Sequence, residues 1–202
     1  MKTVLIAIRP KWCEKIAKGE KTIDVRKSAP KEVPFKAYIY CAKEKPFIQK
    51  IRFGDIAISH TQISNNLYNG KVIGDFICDK VERLEYEEKY LRGITSQTAI
   101  KYFRTKIKMT ALSVDEIMNY GKGKALYGWH ISDLKIYDKP RELSEFKTPP
   151  CEKGEKACAN CKWLVMVNTP DRYECECYVE YGRQITRPPQ SYMFVEDLGE
   201  VK

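Results

Sequence analysis

Eight residues, Gly19-Glu20-Lys21-Thr22-Ile23-Asp24-Val25-Arg26, hold a chain-turning glycine, a lysine, a threonine, a carboxylate and an arginine, and they constrain the fold more than any other stretch. Before them, Trp12, Cys13, Ile16 and Ala17 recur at helical spacing within residues 11–18, as in an amphipathic helix with one buried face. Gly19 suits the left-handed position that closes such a helix. After it the period changes to two. Ile23 and Val25 fall on one face and Thr22, Asp24 and Arg26 on the other, which predicts a half-buried strand over residues 21–27. Same-face neighbours on a strand stand about 6.5–7 Å apart, so Asp24 and Arg26 either pair directly or line a cleft together.

Strand signals dominate the rest of the N-terminal two thirds. Residues 2–8 alternate with both faces apolar, the pattern of an interior strand, and residues 35–41 are rich in aromatic and β-branched side chains. Residues 27–34 read as a surface loop and 42–52 as a polar connection, followed by a strand over 56–59 and a tight Asn69-Gly70 turn. Gly74 inside the strand over 71–81 predicts a bulge or sharp bend, and Asp75 beside it reads as solvent-facing. Helices are expected over 95–106 and, with Ser113 and Glu116 forming a capping box and Gly121 ending it, over 112–120. Residues 121–124 form a basic tip, and one long strand spans 127–137 until Lys139-Pro140. His60 and His130 are the only histidines; neither belongs to a recognisable triad, His130 reads as a hydrogen-bonded core imidazole within a strand, and His60, in a polar loop, is the better placed of the two for chemistry.

The pattern Gly19-x-Lys21-x-x-Asp24-x-Arg26 resembles the Gly-x-Lys-x-x-Glu-x-Arg signature of ASCH domains, with aspartate where that family usually has glutamate. The segments Ile8-Arg9-Pro10-Lys11-Trp12 and Tyr127-Gly128-Trp129-His130-Ile131 are similar to ASCH-type segments as well. The resemblance implies an α+β fold, a PUA-like β-barrel with a few flanking helices, built from residues 1–148 and completed by a final strand and tail from 183–202. It also implies a ligand site with Lys21, Thr22, Asp24 and Arg26 at its centre and Arg9, Lys11 and Trp12 beside it. Proteins of this resemblance include RNA binders, acetylcytidine hydrolases and a ribonuclease on single-stranded RNA. In the hydrolases the motif lysine and a threonine three positions on are implicated; Lys21 matches, Asp24 occupies the threonine position, and Lys21 and Asp24 are the candidate catalytic pair.

Between the two parts, residues 149–182 carry Cys151-x6-Cys158-x2-Cys161-x13-Cys175-x-Cys177. Two thiolates one tight turn apart, as in Cys158-x2-Cys161, grip one side of a tetrahedral ion. Cys175 with Cys151 or Cys177 would complete a structural zinc site, with an iron–sulfur cluster or free thiols as the alternative readings of the five cysteines. An insertion of this size buries too little apolar surface to fold unaided, which favours the metal.

Charge points to a partner class. The 202 residues carry 36 Lys and Arg against 27 Asp and Glu, a net charge of +9. Residues 1–36 alone hold ten basic side chains against four acidic ones, so the surplus concentrates around the opening motif and favours RNA or a nucleoside derivative. The apolar run at residues 4–8 is too short for a membrane span, so a cytoplasmic, membrane-free protein is expected. The sequence leaves three readings open: a binding module, a hydrolase or ribonuclease, and a protein-interaction adaptor whose zinc clip is the recognition surface.

Overall fold

The computed structural model describes residues 1–43, 48–53, 56–61, 69–84, 97–149, 164–166, 173–175 and 182–199. The doubly apolar residues 2–8 form β1 (Lys2–Ile8), an interior strand as their pattern predicts. It pairs in parallel with β3 (Phe35–Cys41) and antiparallel with β12 (Tyr192–Phe194). β6 (Val72–Cys78) and β9 (Ser132–Arg141) complete a five-stranded mixed sheet in the order β12-β1-β3-β6-β9. A second, antiparallel sheet runs β2-β8-β7, from β2 (Ile23–Arg26), β8 (Leu126–His130) and β7 (Val81–Leu84). A ribbon joins β4 (Ile48–Phe53) to β5 (Ile56–Thr61), and another joins β10 (Leu164–Met166) to β11 (Tyr173–Cys175). The helices are α1 (Pro10–Ala17), α2 (Gln97–Thr110) and α3 (Val114–Gly121).

This is an α+β fold. Hydrogen-bonded pairing among the described strands gives separate sheets, not the one continuous ring that a barrel requires. The main core forms where the sheets meet: Val4, Ile6, Phe35, Ile39 and Phe76 of the larger sheet surround Trp129 of β8, and Cys13 and Ile16 of α1 close one end. Phe35 meets Trp129 edge-on at 4.9 Å between ring centroids. The opposite face of the larger sheet is covered by Phe146, Ile185 and Val195, which pack on Leu5, Tyr38 and Tyr137. Residues 146–148 and 183–185 run side by side there, through Ile185 N–H to Phe146 O at 2.8 Å and Thr148 N–H to Arg183 O at 2.8 Å, so the chain leaves and re-enters this body at adjacent points. No helix among the described residues is long and apolar enough to cross a membrane.

Three readings of the pattern need correction. The single strand expected over 127–137 is two strands: at Ile131 the chain leaves the smaller sheet, Asp133 adopts φ 47°, and β9 joins β6 in the larger one. An apolar pattern cannot distinguish a strand that stays in one sheet from one that turns a corner between two. Pro140, expected to end the strand, lies inside β9, where an edge position leaves its missing N–H without consequence. Residues 48–53, expected as connection, are strand β4, whose pairing is confined to the β5 ribbon among the described residues.

Gly74 behaves as its position predicts. The β6–β9 register shifts on both sides of it, and a Cβ there would run into the Lys135 carbonyl. Gly74→Ala should therefore destabilise the protein by about 1–3 kcal/mol, read as a lower urea midpoint with unchanged m-value.

Candidate functional site

α1 ends as the sequence dictates. Pro10 stands in its first turn, Gly19 adopts φ 71°, and Lys21 N–H reaches back to Lys15 O at 3.1 Å. The turn aims Lys21 inward, leaving it 2 % exposed. Its ammonium donates to Ile23 O at 2.8 Å and to Thr110 O, at the end of α2, at 3.0 Å, and lies 3.4 Å from Asp24 Oδ1. Arg26 donates from Nε to Asp24 Oδ2 at 2.6 Å, from Nη1 to Ser191 O at 3.0 Å, and from Nη2 to Ala7 O at 3.1 Å. One carboxylate thus serves two cations, and the arginine fork ties β2 to β1 and to the chain entering β12.

Sequence alternation predicted a half-buried strand; instead all four β2 residues are buried, with Asp24 and Arg26 each 5 % exposed. The polar face points into the space between the sheets, where backbone carbonyls replace water, so Asp24 and Arg26 pair directly under cover. Thr22 contributes its backbone, accepting from Ile131 N–H at 2.9 Å and donating to Met109 O at 2.9 Å. Burial pulls the Lys21 pKa below the ordinary lysine value, against the opposing pull of Asp24. Two backbone carbonyls accept from the ammonium, however, and the Asp24 carboxylate lies within ion-pair distance, contacts that favour the charged form. Burial alone would raise the Asp24 carboxyl, but Arg26 and Lys21 outweigh it and hold it below the ordinary aspartate range.

Above this cluster lies an aromatic rim. Trp12 of α1 is half-buried, with Lys21 Nζ 5.7 Å and Lys11 Nζ 4.4 Å from its ring centre. Tyr120 of α3 is 40 % exposed, carries Lys27 Nζ over its ring at 4.9 Å, and is close enough for its phenol to feel Asp24 and Arg26. Lys11 also bridges to Glu116 of α3 at 3.2 Å, linking the two rim helices. Arg9 is exposed and caps α1 only through its carbonyl. Of the sequence candidates, then, Lys21, Asp24 and Arg26 converge, Trp12 and Lys11 border them, and Arg9 stands outside on the surface. Tyr120 and Glu116 were missed because no local spacing relates α3 to residues nearly a hundred positions earlier, and Lys27, next to Arg26 in the chain, because only its contact with Tyr120 sets it apart from the other lysines; the one signal was a tyrosine at the end of a capped helix.

Other candidates lie elsewhere. Asp75, expected in solvent, is buried on the far face of the larger sheet and accepts from Tyr137 Oη at 2.5 Å, because the returning C-terminal segment covers that face. His130 is hydrogen-bonded as predicted, its Nε2 2.8 Å from Glu82 Oε1, the oxygen that also receives Lys106 Nζ at 2.5 Å and so clasps α2 to the smaller sheet. His60 falls on β5. Cys175 ends β11, opposite Leu164, while Cys151, Cys158, Cys161 and Cys177 lie outside the described residues. Among the described residues no group of three or more His, Cys, Asp or Glu side chains is placed to hold a metal.

No protein-family profile and no curated protein matches the chain in sequence. Solved structures do: the crystal structure of ASCH from Zymomonas mobilis superposes with a TM-score of 0.50 at 14% identity, over 96% of this chain and 88% of its own. The fold is ASCH-like. Two point variants of the same Zymomonas protein give TM-scores of 0.49 at 14% identity, over 97% and 96% of this chain and 91% and 89% of theirs.

In this ASCH-like fold, breaking the ion cluster should be strongly destabilising, because it strands buried charge. Asp24→Asn leaves two buried cations sharing no carboxylate and should cost about 3–5 kcal/mol in urea denaturation. The Asp24 pKa is depressed from 3.8 in the fold, so its contribution is complete above that value and lost as the pH falls through the lower folded pKa. Wild-type stability should accordingly fall more steeply than that of Asp24→Asn below about pH 4, closing the gap between them.

Proposed function

We propose that this chain binds RNA or a modified nucleoside at the rim formed by Trp12, Tyr120, Lys11 and Lys27 over the Lys21–Asp24–Arg26 cluster. One observation carries the reading: two accessible aromatic rings, each with a lysine ammonium over it, stand above a buried cluster of two cations and one anion. Aromatic faces accept unpaired bases by stacking, and exposed lysines beside them can meet phosphates. The likeness to ASCH structures agrees at the level of fold.

Geometry favours binding over hydrolysis. A carboxyl held below its ordinary range by two cations is a weak general base, and an ammonium with three acceptors is no nucleophile. Lys21 and Arg26 instead supply a fixed positive field beneath the rim, and the exposed lysines supply contact. The cysteine-rich stretch is proposed to hold a structural zinc through Cys158, Cys161, Cys175 and one of Cys151 or Cys177. In support, Leu164, three residues after Cys161, pairs with Cys175 across the β10–β11 ribbon, which keeps these cysteines within short chain reach of one another.

Fluorescence anisotropy with a labelled, unstructured RNA 12-mer tests the binding site. Lys11→Ala with Lys27→Ala should flatten the plot of log affinity against log salt by roughly 0.7 for each phosphate that the variant no longer neutralises. Trp12→Ala or Tyr120→Ala should weaken binding by about 1–3 kcal/mol. Affinity and salt slope unchanged in both sets would place RNA elsewhere or remove it altogether. For the metal, elemental analysis of protein purified without chelators should give about one zinc per chain; substoichiometric zinc with all five cysteines reactive to a thiol reagent would eliminate the site.

A further inference from the structure

Two polar atoms beside Arg26 have no use in the fold. Trp129 is 0 % exposed, and its indole Nε1–H has no hydrogen-bond partner among the described residues; the same holds for the buried Ser191 Oγ. They share one neighbourhood. The Arg26 guanidinium lies 5.9 Å from the Trp129 ring and donates to the Ser191 carbonyl, and Tyr192, next in the chain, meets Trp129 edge-on at 5.4 Å. A third such atom, Thr3 Oγ1, belongs to the opposite face of β1, on the side of Leu5. Leaving a buried donor unmatched costs about 1–3 kcal/mol, so two of them around one arginine call for an acceptor.

The chemistry of the group is specific. An indole N–H only donates, a serine hydroxyl can donate, and Arg26 has five N–H bonds of which the described residues engage three. The complement is an oxygen that accepts and does not donate. Its surroundings are the rings of Trp129 and Tyr192 and an arginine already paired with Asp24, an environment in which a phosphate dianion would lose far more hydration than a neutral carbonyl.

Resting on the proposed RNA- or nucleoside-binding reading, we infer that Trp129 Nε1, Ser191 Oγ and Arg26 form a subsite for the exocyclic carbonyl of a nucleobase. The rim stacks the base and the subsite reads its edge. Uracil, cytosine and guanine carry such a carbonyl, whose two lone pairs can accept from the indole and the hydroxyl together; adenine's acceptors are ring nitrogens with one lone pair each, so the subsite discriminates against adenine. The discrimination arises from donors left unmatched when adenine occupies the rim.

Nitrogen-15 NMR of the three tryptophan indoles tests this, with Trp129→Phe assigning the resonance. Adding uridine should move the Trp129 indole signal, whereas adenosine and ribose 5-phosphate should not. Ser191→Ala should weaken uridine binding by about 3- to 10-fold, the effect of one hydrogen bond, while leaving the urea midpoint unchanged or raised. A shift with ribose 5-phosphate but not uridine would assign the donors to phosphate and overturn the inference. An indole signal unmoved by every probe, as expected if water satisfies these atoms, would overturn it too. RNA binding by anisotropy with an unmoved Trp129 signal sinks the subsite alone; a uridine shift without RNA binding sinks the RNA reading and retains the subsite.

Discussion

The bond between Arg26 and Asp24 is the constraint on which the architecture turns. A guanidinium buried between two sheets needs a carboxylate and several carbonyls to replace its water, and Arg26 finds them in Asp24, Ala7 and Ser191. Those partners lie on β2, on β1 and just before β12, so satisfying one side chain fixes how the smaller sheet sits against the larger and where the C-terminal strand docks. Lys21 extends the same logic to α2 through Thr110. The aspartate reaches Arg26 at 2.6 Å and Lys21 at 3.4 Å, and two backbone carbonyls add to the lysine's shell.

Such a cluster is costly to build and therefore informs on function. Hydrophobic residues of similar volume would hold two sheets together at least as well. What apolar residues cannot provide is a fixed positive field beneath two aromatic rings. The same arrangement disfavours acid–base work, since a carboxylate shared by two cations has little tendency to take a proton. A fixed field below, with exposed lysines and aromatic faces above, is the arrangement on which the proposed recognition role rests.

The larger sheet has a second polar network on its far face, where Tyr38 Oη donates to Asp197 at 2.7 Å, Lys36 pairs with the same carboxylate at 3.0 Å, and Asp75 accepts from Tyr137. These contacts fasten the C-terminal segment rather than open a site. Their donors and acceptors are matched, in contrast with Trp129 and Ser191 beside Arg26.

Much of the local structure was determined by the sequence itself. β1 and β3, the helix closed by Gly19, the Ser113–Glu116 capping box and the bend at Gly74 follow from periodicity, capping chemistry and backbone freedom, which act over a few residues. The association of Lys21, Asp24 and Arg26 was legible for the same reason, since all three lie within one turn and strand. Tertiary structure alone decided that their strand is wholly buried, that Asp75 is covered, that residues 126–141 divide between two sheets, and that Tyr120, Trp129 and Ser191 surround the motif. Each of these depends on which surface a distant segment covers, and alternation reports only that a strand has two unlike faces, not what will lie against them.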